Sequence, residues 1–311
     1  MSARGARLGA GASRAVLAAV LGAAVAGCQA ETPAPLEWSD AVVTQIEAWR
    51  AQHEDSYRRN WAPIEGLHFL KPGAQSAGSA PGNDVVLIAA LPERLGTFTV
   101  AADQVTFTPD PDAAITLNGE AAAAPTVLRD DGEDDTDVIE ANGASVVVHR
   151  SGPRLSLRVR DPNGARARAF AGFDWFPISR DYRVLGRFIA DAAPRSLPVV
   201  NTFGDVDEYP SDGAVEFVLN GATLRLRPFT TEPGRLYFVF NDASSGEETY
   251  AAARFLYSDL RPDGTTVLDF NEAYNPPCSF NPFTTCPVPL RENRLPVKVL
   301  AGEKKYRGAE P

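Results

Sequence analysis

Val215-Glu216-Phe217-Val218-Leu219-Asn220-Gly221-Ala222-Thr223-Leu224-Arg225-Leu226 decides how this chain folds. Val215, Phe217 and Leu219 share one face of an extended segment, and Leu224 and Leu226 leave the turn on a matching face. Between them Asn220-Gly221 is the strongest short hairpin signal, because both residues accept the positive φ of a tight turn. The pattern repeats outward from this hairpin. Phe98 and Val100 precede Ala101-Ala102-Asp103-Gln104, and Val105 and Phe107 follow it. Val146 and Val148 precede Ser151-Gly152-Pro153, and Leu155, Leu157 and Val159 then alternate with Ser156, Arg158 and Arg160. Leu236–Phe240, Thr249–Tyr257 and Thr266–Phe270 read as further strands. Strand follows turn with no helix between, so the expectation is an all-β fold, an antiparallel sandwich or barrel-like sheets, and a parallel α/β sheet is disfavoured.

One segment breaks the period of two. Ser39 offers an N-cap, and Val42, Ile46, Trp49 and His53 recur at helical steps, predicting one N-terminal amphipathic helix over about 39–59. His53 on that face is expected to pack rather than to ligate.

The first residues carry Arg4, Arg7 and Arg14, an apolar run from Ala15 to Ala26, and then Val25-Ala26-Gly27-Cys28. The run is shorter than the roughly 20 residues that span a bilayer, so 1–27 reads as an export signal. Val-Ala-Gly-Cys resembles the lipobox of bacterial lipoproteins, which implies that Cys28 becomes the lipidated first residue of the mature chain. Residues 28–38, with Pro33 and Pro35, then read as a tether. The expected location is the bacterial cell envelope, lipid-anchored, with Gln29 favouring the outer membrane facing the periplasm. Loss of 1–27 removes three arginines and no acid, making a chain of net charge −10 more acidic still. Such a surface repels phosphate backbones, so nucleic acid is not an expected partner. The expected partners are the membrane, through the lipid, and a small polar ligand or an envelope protein.

The densest chemistry lies in Asp269-Phe270-Asn271-Glu272-Ala273-Tyr274-Asn275-Pro276-Pro277-Cys278, followed by Cys286-Pro287-Val288-Pro289 and Ala301-Gly302-Glu303. These motifs resemble the signature of an uncharacterised bacterial family, domain of unknown function 1684. Further points of likeness are Trp49, Gly66-Leu67 and Leu157-Arg158-Val159-Arg160-Asp161. The resemblance runs across the turn cluster Asp161-Pro162-Asn163-Gly164 and implies one folded unit over 39–303; the cluster by itself reads as a candidate boundary between sub-blocks 61–160 and 165–303. It implies no activity. Ala74–Gly82 departs from the family pattern and reads as a flexible surface loop, and 304–311 as a frayed tail.

With three cysteines in 311 residues, Cys278 and Cys286 remain as a disulfide or thiol pair if Cys28 is lipidated. A bond closing so short a loop would stabilise by about 2.5 kcal/mol. The competing reading is a reactive thiol, which needs a thiolate and a supporting base or cation. Two sulfurs with no neighbouring His do not complete a zinc set, so no metal and no cofactor is expected. Asp269, Asn271, Tyr274 and Asn275, together with Asp242, Tyr250 and Arg254 upstream, form the candidate ligand site; their alternative role is to cap turns and pair charges inside the fold. The acidic runs Asp130–Asp137 and Asp205–Asp212 read as solvated loops, lacking calcium-loop spacing. Gly-x-Ser-x-Gly and Walker-type loops are absent from the sequence. The functional expectation is a non-enzymatic β-domain that binds a small ligand or a partner, with a hydrolytic or thiol-dependent enzyme centred on Asp269–Cys278 as the alternative.

Overall fold

The opening hairpin forms as its sequence dictates: Val206–Leu219 pairs antiparallel with Ala222–Leu226, and Asn220 and Gly221 take φ of 52° and 77° in the turn. The structure is a computed structural model that describes residues 36–308. The export signal, Cys28 and most of the tether therefore lie outside the described residues. The fold is mostly β, with antiparallel pairing dominant and one long helix near the N-terminus.

Two sheets share a core in the first half of the chain. One has six strands in the spatial order Ile64–Phe69, Arg154–Arg160, Ala144–Ser151, Ile139–Ala141, Thr116–Leu117 and Glu120–Ala121. The other has five, in the order Val85–Val86, Gly73–Gly78, Gly96–Ala101, Gln104–Pro109 and Thr126–Leu128. Phe98, Val105 and Phe107 from the second meet Val146, Val148, Leu155, Leu157 and Val159 from the first in one buried cluster. These are the alternating residues that the sequence marks, so each strand turns its other face, including His149, Ser156 and Arg158, away from this core.

The second half builds a four-stranded sheet, Ala222–Leu226, Val206–Leu219, Arg183–Val200 and Thr265–Asp269, and a three-stranded one, Phe229–Glu232, Arg235–Phe240 and Arg254–Asp259. The three-stranded sheet is covered on both faces. Leu236, Phe238, Phe240 and Leu256 join one cluster, whereas Tyr237, Val239 and Phe255 join another with Tyr57 of the helix, Tyr274 and both cysteines of the signature. This double coverage is why Leu236–Phe240 is apolar throughout rather than alternating.

The helix spans Asp40–Asn60 and buries Val42, Ile46 and Tyr57 along the expected stripe. Ser39 occupies the N-cap position, but its side chain makes no capping bond; its carbonyl accepts from Val42 and Val43 instead.

Several expectations change. Gly73–Gly78 is a strand paired with Gly96–Ala101, not a flexible loop, and Ala77 is fully buried. Its small residues answer to close approach: a Cβ on Gly78 would lie 2.3 Å from the Glu93 carbonyl oxygen. Of Thr249–Tyr257, only the part from Arg254 onward is strand. Past Glu303, Tyr306 packs against Phe170 and Phe280 rather than fraying. The acidic runs are solvated only in part, with Glu133, Asp134, Asp135 and Glu208 exposed. Asp130 and Asp137 are buried against Arg150 and Arg129, and Asp205 accepts from Ser151 Oγ (2.6 Å) and pairs with Arg154 (2.6 Å).

Candidate functional site

An aromatic pocket of about 290 Å³ opens where the outer face of the six-stranded sheet meets the helix, the three-stranded sheet and the signature loop. Its walls are Tyr57 and Trp61 from the end of the helix, Tyr237, Phe255 and Tyr257 from the strands, and Tyr274, Pro277 and Pro287 from the signature. Tyr57 donates to the Asn275 carbonyl. The phenols of Tyr237, Tyr257 and Tyr274 have no hydrogen-bond partner among the described residues. Burial holds the pKa of all three above the ordinary tyrosine value. Each is therefore a neutral donor with spare capacity on the wall of a largely apolar pocket.

One end of this pocket is polar. Thr285, Cys286, His149 and Arg158 line it. His149 Nδ1 lies 2.7 Å from Asp131 Oδ2, and its Nε2 lies 2.9 Å from Thr285 Oγ1. Arg158 Nη1 donates to the same Asp131 oxygen at 2.7 Å, and its Nε is buried without a partner. Burial would raise the Asp131 carboxyl, but the hydrogen bonds from His149 and the Arg150 N–H and the charge of Arg158 hold it below its ordinary value. Asp131 thus stays a carboxylate, which can only accept, and this fixes Nδ1 of His149 as the donor.

Both signature cysteines are buried and free in this structure; the expected disulfide is not formed, although the Cys278 N–H donates to Cys286 Sγ at 3.4 Å. Cys286 faces the pocket, while Cys278 sits behind it with its pKa raised by its hydrogen bond to Cys286 and by burial.

The seven sequence-selected candidates do not converge. Arg254 is fully buried and ion-paired with Asp242 (2.9 Å), donates to Val299 O (2.9 Å), and bonds the Ala301 carbonyl. Asn275 donates from its backbone and side chain to Glu303 at 2.9 and 2.7 Å. Between these two contacts Gly302 runs so close to Ala273 that a Cβ would lie 2.1 Å from its carbonyl oxygen. The Ala301-Gly302-Glu303 element is thus a backbone and side-chain lock on the signature loop. Asn271 bonds Ser179 through its amide, and its carbonyl receives Arg50 from the helix. Tyr250 donates to the Cys278 carbonyl. Of the seven, Tyr274 alone lines the aromatic pocket. Asp269 lines a separate cleft of about 420 Å³ with Trp49, Arg183, Arg235 and Glu272. There Arg183 is held by Asp269 (2.5 Å) and Arg235 by Asp259 (3.2 Å), so these two cations are already matched, and Arg261 lines the cleft beside them. Burial, then Asp269, push Glu272 up to about 7.

Sequence reasoning missed Asp131, His149, Arg158, Thr285, Tyr57, Tyr237 and Tyr257. The alternation around Leu157 and Val148 does place His149 and Arg158 opposite the core. What it lacks is the partner surface that covers them.

Fold and site together define a β-rich domain with a tyrosine-lined pocket at the seam of two sheet systems. Residues 168–304 match the family model described as "Protein of unknown function (DUF1684)", the family that the signature resembles. The matched span contains the signature wall of the pocket, whereas Tyr57, Trp61, His149 and Arg158 lie before it. A solution NMR structure of an uncharacterised protein from Haloarcula marismortui is 29% identical, with 46% of this chain and 82% of that chain covered and a TM-score of 0.38. No curated protein matches the chain.

Proposed function

We propose that this protein is a lipid-anchored envelope domain that binds a small ligand with an aromatic or compact apolar body and an anionic or hydrogen-bond-accepting head. The observation that carries this reading is the set of three phenols without hydrogen-bond partners among the described residues, beside a half-buried arginine in a largely apolar pocket. Neutral phenols and a guanidinium are donors, so the complementary ligand group is an acceptor such as a carboxylate. Aromatic walls favour a flat body over an aliphatic chain. Benzoate is a suitable probe. Calorimetric titration should give saturable binding, weakened several-fold in Tyr257→Phe and Tyr237→Phe, since each loses one hydrogen bond of about 1 kcal/mol. Absence of binding by benzoate and related aromatic acids would remove the proposal.

The envelope location rests on the Arg-bearing, short-run, Val25-Ala26-Gly27-Cys28 order of the N-terminus. Cys28→Ala should move the protein from the membrane to the soluble fraction, and unchanged membrane partitioning would remove the anchor.

A further inference from the structure

We infer that the polar end of the pocket is an acyl-transfer site, with Thr285 as nucleophile, His149 as general base, Asp131 as the group that orients the base, and Arg158 as the cation facing developing negative charge. This rests on the ligand-binding reading and extends it from holding an acceptor-headed molecule to cleaving an ester of it.

The geometry has the three-member logic of an activated nucleophile. A hydroxyl and a base nitrogen lie 2.9 Å apart, and the other ring nitrogen lies 2.7 Å from a carboxylate. With Nδ1 donating to Asp131, Nε2 is the ring position that accepts the Thr285 proton. His149 is buried, which restricts its ring, and Thr285 is half-buried on the pocket wall, where a bound molecule can reach it. Arg158 supplies the remaining element: its Nη1 is used by Asp131, and its guanidinium lies on the same pocket wall.

The substrate class is a carboxylic ester with a compact aromatic acyl group. Thr285 Oγ1 forms a bond to the ester carbonyl carbon while Nε2 of His149 takes the hydroxyl proton. The carbonyl π pair moves to oxygen, where Arg158 faces the resulting charge. Collapse breaks the bond to the leaving alkoxide, which takes the proton from His149 and departs as an alcohol, leaving an acyl-threonine ester. Water then attacks that ester with His149 again accepting the proton. Thr285 is regenerated and the carboxylic acid is released, so the sum is ester plus water giving acid plus alcohol. The acid is the kind of molecule that the tyrosines and Arg158 are suited to hold.

The test uses the purified full-length chain, 4-nitrophenyl benzoate and benzoate. Wild type should release 4-nitrophenolate, and mass spectrometry after a short reaction should place a benzoyl group on the peptide containing Thr285. Thr285→Ser should retain turnover. Thr285→Val, which keeps the shape but lacks the hydroxyl, should lose at least about 100-fold while still binding benzoate. Equal turnover in wild type and Thr285→Val, or a wild-type adduct mapped elsewhere, with benzoate binding intact, overturns the acyl-transfer inference and leaves the ligand pocket standing. Loss of benzoate binding from wild type itself overturns the pocket reading beneath it. The wild-type adduct does not depend on the folding of any variant.

Discussion

At the scale of single residues, Arg254 is among the largest fully buried side chains of the described residues. Its guanidinium is fully buried, with Asp242 and the carbonyls of Val299 and Ala301 as partners and Phe240 beneath it at 5.5 Å. Taking two charges out of water is costly, so the pair stabilises little over an apolar replacement; removing one partner is what does the damage. Arg254→Leu strands the Asp242 carboxylate and two carbonyls, and should cost about 3–5 kcal/mol in urea unfolding. Asp242→Leu combined with Arg254→Leu should recover part of that loss, because the uncompensated charge is gone. A double variant as unstable as the single one would show that the carbonyl contacts, not the ion pair, hold the terminal segment. The sequence marks Arg254 as a cation in an apolar strand, and the need for a buried partner follows from that alone. Which acid answers it does not, because Asp242 and Asp269 are equally eligible by position.

At the scale of elements, what was legible in the sequence is what burial patterns directly. The Asn220-Gly221 hairpin, the strands around Phe98, Val148 and Leu157, and the helical stripe from Val42 to His53 each present one apolar face, and each forms. Elements without that pattern escaped: Gly73–Gly78 is built of small residues, and most of Arg183–Val200 is solvent-facing. The site was less legible than the fold, since the motif residues Asn271, Asn275 and Glu303 bond backbone and each other, while the polar end of the pocket joins an acidic run and the outer faces of two strands to Thr285 and Cys286 of the signature. The helix carries a pH signature of its own. His53 packs against Trp49, Tyr57 and Tyr274, its Nε2 has no partner, and burial pushes its pKa down to about 4 from 6.5. The folded state thus refuses a proton that the unfolded chain accepts, so this contribution is present above pH 6.5 and lost as pH falls towards 4. Glu272 and Glu303, raised by burial to about 7 and 8, act in the opposite sense and lose their contribution as pH rises from 4.5 through those values. Comparison with His53→Phe isolates the histidine. The stability gap should shift in favour of the variant by about 1 kcal/mol per pH unit on acidification below 6.5. Parallel pH profiles for the two proteins would mean that His53 is protonated within the fold.

At the scale of the whole molecule, the question is how two sheet systems with separate cores behave as one. The first core draws on residues 77–159, and the other two on the helix and on residues from 170 onward. The seam is polar. Asp205 receives Ser151 and Arg154, Asp207 accepts from the Gly152 N–H at 2.8 Å, and Asn281 donates to the Trp61 and Ile64 carbonyls at 3.0 and 2.9 Å. The Asp131–His149–Thr285 chain crosses the same seam beside the pocket. Polar contacts add little net stability but are costly to break when buried, so they help to couple the two cores. Asp205→Asn removes the charge that Arg154 and Ser151 answer while keeping the side-chain volume, and should cost about 2–3 kcal/mol. It should also uncouple the halves, and the chain carries a built-in reporter for this: its four tryptophans, Trp38, Trp49, Trp61 and Trp175, all fall outside the strands of the first two sheets. Tryptophan fluorescence therefore follows the helix and the second sheet system, whereas far-ultraviolet circular dichroism follows both. The two unfolding curves should coincide in wild type and separate in Asp205→Asn, with the circular dichroism curve showing an extra transition. Coincident curves in the variant would locate the coupling elsewhere, in Asn281 and the helix end that it clasps.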